Sequence, residues 1–156
     1  GTRTRSLHLW CSKAELEEIM TGSRKGVFLD TFFIQALLNR RDHFHTKAKA
    51  LFQQVRAIQE VWTTEAVLIE LGNALAAINR GGAADFIRSC YNTPNLKVVS
   101  VDAALIARAL RLYDSRPDKE WGLTDCISFV VMQERRITLV LSADTHFKQA
   151  GFSPML

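Results

Sequence analysis

Four acidic side chains stand where they could do chemistry together. Asp30 directly follows the apolar run Gly26-Val-Phe-Leu29, and Asp144 lies three residues beyond the last apolar position of Ile137-Thr-Leu-Val-Leu141. Asp125 opens a helical pattern and Glu70 sits well inside another. Taken singly, each Asp reads as a helix N-cap or first-turn residue, worth about 1 kcal/mol there; Asp102 is read as only that. Glu70 lies beside small residues at helical spacing, Ala66, Asn73, Ala74 and Ala77. Such a stripe lets backbones approach and would aim an acid into a cleft, with Asn73 one turn on to orient it. Alone, Glu70 reads as a solvated helix-face residue. Together, carboxylates gathered at one edge repel one another and partly protonate unless a divalent cation neutralises them. An oxygen-only donor set without Cys or paired His favours a hard ion, Mg²⁺ or Mn²⁺. Such an ion polarises a phosphate and activates water, which is the chemistry of phosphodiester hydrolysis.

The elements that must position these acids alternate regularly. Gly26–Asp30 reads as a short strand, followed by a helix through Phe33, Leu37 and Leu38. A second helical pattern (Ala48, Leu51, Phe52, Val55, Ile58) leads to a strand at 61–64. Thr64 then caps a helix whose stripe Leu68, Leu71, Leu75 and Ile78 is expected to stop at Gly81-Gly82. A short helix closes at Pro94-Asn95, the strand 96–101 ends at Asp102, and another helix follows through Leu105, Ala109 and Leu112. After the polar loop 114–121 come an apolar helix from Gly122 to about Arg136, a buried strand at 137–141 and a short helix from Asp144 to Gly151. Four strands, each followed by a helix, predict an α/β fold: three layers, α/β/α, around a central, mainly parallel sheet. Ligands in such sheets bind beyond the carboxyl ends of the strands, where these acids fall.

At 156 residues, 47% hydrophobic and 23% charged, the chain has the composition of one globular domain. Residues 1–25 read as an N-terminal extension, part of it plausibly foreign to the native protein, and 26–156 as the folded domain. No apolar run nears the roughly 20 residues that span a bilayer, so no membrane is expected, and the location expected is cytoplasmic. Cys11, Cys90 and Cys126 are odd in number and widely spaced, which excludes a disulfide framework and a zinc ribbon. The net charge of +4 permits contact with a polyanion without requiring it.

The chain also resembles a known family. Val27-Phe-Leu-Asp30-Thr-Phe, Leu68-Ile-Glu70-Leu-Gly-Asn-Ala-Leu75, Gly122-Leu-Thr-Asp125-Cys-Ile-Ser-Phe129 and Leu141-Ser-Ala-Asp144-Thr-His-Phe-Lys-Gln-Ala-Gly-Phe152 are similar, in order, to four signatures of PIN domains, and of VapC-type toxin ribonucleases in particular. Each is weak alone; the ordered set over about residues 26–152 is specific. The resemblance implies a PIN fold and a metal-dependent endoribonuclease. Its catalytic and metal-binding acids would be Asp30, Glu70, Asp125 and Asp144 around Mg²⁺ or Mn²⁺, with Asp30 and Asp125 the firmest ligands and Asp144 and Glu70 completing the site. Thr31, Asn73, Thr124 and Ser142 would orient the carboxylates from behind, although Thr124 reads as readily as a helix cap. Gly122 stands where the family often has Ser, a departure that touches the helix start and no ligand. The resemblance further implies an RNA substrate, often structured tRNA or ribosomal RNA, and a cognate VapB-like antitoxin whose basic segment covers the site. Family members commonly form homodimers.

RNA requires cations around an acidic centre. Arg40, Arg41, His43, His45, Lys47 and Lys49 form the densest run, with Arg40, Arg41 and Lys47 the candidate phosphate contacts, although a charge run reads first as a solvated helix face. His146, beside Asp144, is a further candidate for a substrate phosphate. His43 and His45, with no third ligand nearby, are simply surface residues. Trp62 and Trp121 could stack on a base, but Trp62 fits the core better. Two rivals compete with the nuclease. A non-catalytic RNA-binding or protein-interaction module on the same fold would tolerate loss of the acids, and all are present. A haloacid-dehalogenase-like phosphatase needs a second Asp two residues after the first, where this chain has Phe32.

Overall fold

The computed structural model describes residues 26–156 together with Ala14, so the expected extension over 1–25 lies outside the described residues apart from that one position. The chain runs β1 (Val27–Leu29), α1 (Thr31–Leu38), α2 (His45–Val55), β2 (Val61–Thr64), α3 (Glu65–Ala74), α4 (Arg80–Asn92) and β3 (Leu96–Val99). It continues with α5 (Ala103–Ser115), α6 (Leu123–Arg135), β4 (Leu139–Leu141), α7 (Thr145–Gln149) and β5 (Ser153–Pro154). The five strands form one sheet in the order β3-β2-β1-β4-β5, every pair parallel. The expected α/β/α architecture with a parallel sheet is what the chain adopts. Among the described residues no helix is long and apolar enough to cross a membrane.

The strand order carries the functional geometry. The chain leaves β1 on one side for β2 and β3, then returns to the other side for β4 and β5. Connections diverge at the carboxyl ends of β1 and β4, which is where ligands bind in such sheets. Both strands are fully buried and apolar, as strands covered on both faces must be. Their register pairs Val27 with Leu139, Phe28 with Val140 and Leu29 with Leu141. Asp30 and Ser142 therefore leave the sheet side by side.

Aromatic packing holds the last two helices in place. The Phe129 ring on α6 meets Trp121, Phe147 and Phe152 at centroid separations of 5.0, 5.1 and 5.6 Å. The first two are edge-to-face and the third is tilted, and such ring pairs add to the area they bury. They tie α6, which carries Asp125, to α7, which starts at Asp144.

The structure departs from the expected elements in several places: the helix before Pro94 runs 13 residues rather than being short, the strand from Leu96 ends at Val99, and two further departures have a clear physical reason. The helix after Thr64 ends at Ala74 and does not reach Gly81-Gly82; Leu75 is its C-cap and Ile78 lies exposed in a turn. Both glycines belong to the first turn of α4, whose N-cap is Asn79. The Asn79 side chain accepts from the Gly82 N–H at 3.0 Å and donates to the Leu38 carbonyl at 2.9 Å. A Cβ on Gly82 would lie 2.4 Å from Asn79 Nδ2, so here glycine makes room for a cap rather than breaking a helix. The second departure is β5, two residues including a proline, too short to leave a sequence signal; as an edge strand it tolerates Pro154.

The cap geometry makes a prediction. Asn79→Ala should cost about 1 kcal/mol. Gly82→Ala should destabilise the wild type but stabilise the Asn79→Ala background by roughly 0.5–1 kcal/mol, where only the helix preference of alanine remains. Urea denaturation of the four proteins measures the cycle, and additive effects would contradict this packing.

Candidate active site

Asp30 is the N-cap of α1, directly beyond β1, and only 5% exposed. Its Oδ2 accepts a 2.8 Å hydrogen bond from Ser142 Oγ, across a sequence separation of 112 residues, and a longer one of 3.4 Å from the Phe32 N–H. The Ser142 hydroxyl oxygen in turn accepts from the Asp144 N–H at 3.0 Å. Ser142 thus joins the end of β1 to the start of α7. Burial pushes the Asp30 carboxyl from its ordinary 3.8 up to about 7; the Ser142 hydrogen bond opposes this and repulsion from Asp125 reinforces it.

Asp125 lies in the first turn of α6. Its Oδ2 accepts from the Gly122 N–H at 3.1 Å, half of a capping box whose other half a glycine cannot supply. The same oxygen receives the His146 ring nitrogen Nδ1 at 3.0 Å. Asp144 caps α7, its Oδ1 accepting from the His146 N–H at 2.9 Å, and that oxygen lies 3.5 Å from His146 Nδ1. One ligand atom from each of Asp125, Asp144 and His146 lies within 4.8 Å of the others. The capping explanation for each Asp is thus true, and the capping carboxylates still converge.

The remaining predicted residues divide. Thr31, next to Asp30, is 2% exposed, and its Oγ1 finds no hydrogen-bond partner among the described residues. Glu70 is exposed on α3, and among the described residues it makes no hydrogen bond or ion pair with the three Asp. Its helix nevertheless packs against both α1 and α6, the helices that begin beside Asp30 and Asp125. Asn73 is also exposed and makes no hydrogen bond to Glu70 among the described residues, contrary to the expected orienting contact. Thr124 contributes its backbone carbonyl, which accepts from the Ser128 hydroxyl at 3.1 Å. Arg40 and Arg41 are exposed beside a groove of about 790 Å³ lined also by Leu38, Asn39, Ile78 and Asn79. Lys47 is half-buried with its ammonium 5.6 Å from the Phe44 ring centroid. His45 is tied down, Nδ1 donating to the Ala36 carbonyl at 2.8 Å.

Trp121 is 6% exposed and donates to Gln149 at 3.0 Å, which excludes it from stacking on a base. Trp62 is only half-buried, with the Arg135 guanidinium 4.7 Å from its ring centroid. Sequence reasoning underweighted His146. Its position two residues after Asp144 was the available signal, because a first-turn residue follows its cap into the same crevice.

The donors fit a dication. Three carboxylates and an imidazole meet at one edge, one of the acids is buried, and among the described residues no Lys or Arg forms an ion pair with Asp30, Asp125 or Asp144. The PIN domain profile matches residues 27–153. The chain belongs to the PIN domain family. Among solved structures, VapC20 from Mycobacterium tuberculosis, a sarcin-ricin loop cleaving toxin, is 28% identical with a TM-score of 0.74, over 81% of this chain and 96% of that one. FitAcB from Neisseria gonorrhoeae is 18% identical with a TM-score of 0.56, over 83% and 96%, a likeness of fold. No curated protein matches the sequence. Within the PIN family, the architecture of this chain is similar to that of VapC20.

The buried Asp30 makes the metal-free protein sensitive to pH. Because its carboxyl is held above the unfolded value, the folded chain binds the proton more tightly, and stability falls as pH rises from about 4 to about 7. A shift of this size corresponds to a loss on the order of 4 kcal/mol. In EDTA, wild type should therefore lose stability between pH 5 and pH 8 relative to Asp30→Asn, measured by urea denaturation. Parallel pH profiles would contradict a carboxyl buried without compensation.

Proposed function

We propose that this protein is a divalent-metal-dependent endoribonuclease toxin that cuts a structured cytoplasmic RNA and is held inactive by a cognate VapB-like antitoxin. The observation that carries the reading is the gathering of Asp30, Asp125 and Asp144 at the switch point of a PIN sheet, where among the described residues no Lys or Arg forms an ion pair with them. Asp30, Asp125 and Asp144 would hold Mg²⁺ or Mn²⁺, with Glu70 completing the site from α3. Bound there, the ion supplies charge neutralisation at the scissile phosphate and acidifies water.

The chain's own groups do the rest. Ser142 orients Asp30 through its hydroxyl, and the same hydroxyl fixes the backbone of Asp144. Glu70, exposed on α3, would orient the attacking water. Arg40, Arg41 and Lys47 attract the phosphate backbone along α1 and the start of α2, which supports RNA affinity without base specificity. Thr31, buried beside Asp30, offers a hydroxyl to the site. An antitoxin segment rich in Arg or Lys would satisfy the same carboxylates. VapC20's action on the sarcin-ricin loop makes a ribosomal RNA hairpin the first substrate to try.

The test is incubation with total cellular RNA and with an isolated sarcin-ricin hairpin, with and without EDTA, followed by mapping of new 5′ ends. One discrete cut is expected, abolished by EDTA and by Asp30→Asn or Asp125→Asn. Glu70→Gln should slow it by roughly 10- to 100-fold. RNA binding without cleavage at any metal concentration would overturn the reading in favour of a binding module on the same fold.

A further inference from the structure

His146 places one ring nitrogen between two of the acids, where a single proton can serve only one of them. Its Nδ1 is 3.0 Å from Asp125 Oδ2 and 3.5 Å from Asp144 Oδ1. A single N–H reaches the first as a hydrogen bond, while 3.5 Å is too long for a good bond to the second. Donors on adjacent corners of an octahedron around an ion at about 2.1 Å lie about 3 Å apart, and opposite donors about 4.2 Å. The 3.0 and 3.5 Å from His146 Nδ1 to the two carboxylate oxygens fall in that range, and one ligand atom from each of the three residues lies within 4.8 Å of the others. The fold holds them there: the Asp144 cap accepts from the backbone of His146 itself, and Asp125 is pinned by the Gly122 N–H. Asp125 Oδ1 and Asp144 Oδ2 accept no hydrogen bond among the described residues, and neither does the buried Thr31 Oγ1 beside Asp30.

We infer that His146 Nδ1 is itself a ligand in the cation site, which makes the site a mixed carboxylate–imidazole centre that prefers Mn²⁺ to Mg²⁺. The inference rests on the metal-dependent reading above and adds a ligand and a selectivity to it. Imidazole binds the later first-row ions better than it binds Mg²⁺, whose preference is for oxygen and water. His146 is half-buried, so the lone pair of Nδ1 can turn to the ion while Nε2–H stays in reach of water. The competing role, a ring that only hydrogen-bonds Asp125 or touches substrate phosphate through Nε2, leaves the metal's donor set free of nitrogen.

The test is three-pulse electron spin-echo modulation of the full chain loaded with one equivalent of Mn²⁺, without RNA, alongside calorimetric Mn²⁺ and Mg²⁺ affinities. Expected are the ¹⁴N modulation of a coordinated imidazole in wild type, its loss in His146→Gln, and its retention in His45→Gln. His146→Gln should also weaken Mn²⁺ by roughly 10-fold or more and Mg²⁺ by clearly less. Bound Mn²⁺ that disappears in Asp125→Asn but shows no ¹⁴N modulation in wild type would overturn the inference and leave the acidic metal site standing. A wild-type protein that takes up no Mn²⁺ would overturn both. The wild-type spectrum decides the ligand whether or not the glutamine variant folds.

Discussion

The pairing of β1 with β4 is the constraint on which the rest depends. Three consecutive parallel pairs end at Leu29 and Leu141, so the next residues of each strand leave the sheet at the same height. One of them is a carboxylate and the other a hydroxyl, and they bond at 2.8 Å. A slip of one residue would turn every side chain of β4 to the opposite face and break this contact. Because both strands are buried on both faces, that slip would also mis-place the core, and the hydrophobic effect therefore fixes the register that the site requires.

The same burial sets up an electrostatic conflict. Asp30 is almost wholly removed from water, one hydroxyl is its best partner, and Asp125 adds repulsion. Helix N-termini at α1, α6 and α7 supply partial positive charge to all three Asp. Such charge is worth less than burial costs the Asp30 carboxylate, which is why that group stays easily protonated. Functional sites commonly hold such conflicts, and the core of Phe129, Trp121, Phe147 and Phe152 supplies stability beside it.

Much of this was legible in the sequence because it depends on local patterns. Apolar runs ending in Asp announced β1 and its cap, Thr64 announced the start of α3, and the alternation of strand and helix announced the parallel sheet. Three features were not legible. The order of strands follows from packing between distant segments, so the meeting of Asp30 with Ser142 could be expected only through family resemblance. The Gly81-Gly82 pair looked like a helix stop because glycine usually is one; its reason is the Asn79 side chain folded over Gly82, a contact in three dimensions. His146 is legible only as a candidate phosphate contact because a single imidazole carries no pattern, and its meeting with Asp125 depends on another helix.

On the proposed reading, a dication completes the acidic edge beyond β1 and β4. Thermal unfolding of the metal-free protein at pH 8, titrated with Mn²⁺ or Mg²⁺, tests it most directly. Binding to the folded state alone must raise the melting temperature as ion concentration passes the dissociation constant. The predicted result is a saturable rise in wild type that Asp125→Asn removes. A melting temperature that stays flat to millimolar ion, or that rises equally in the variant, would contradict the account.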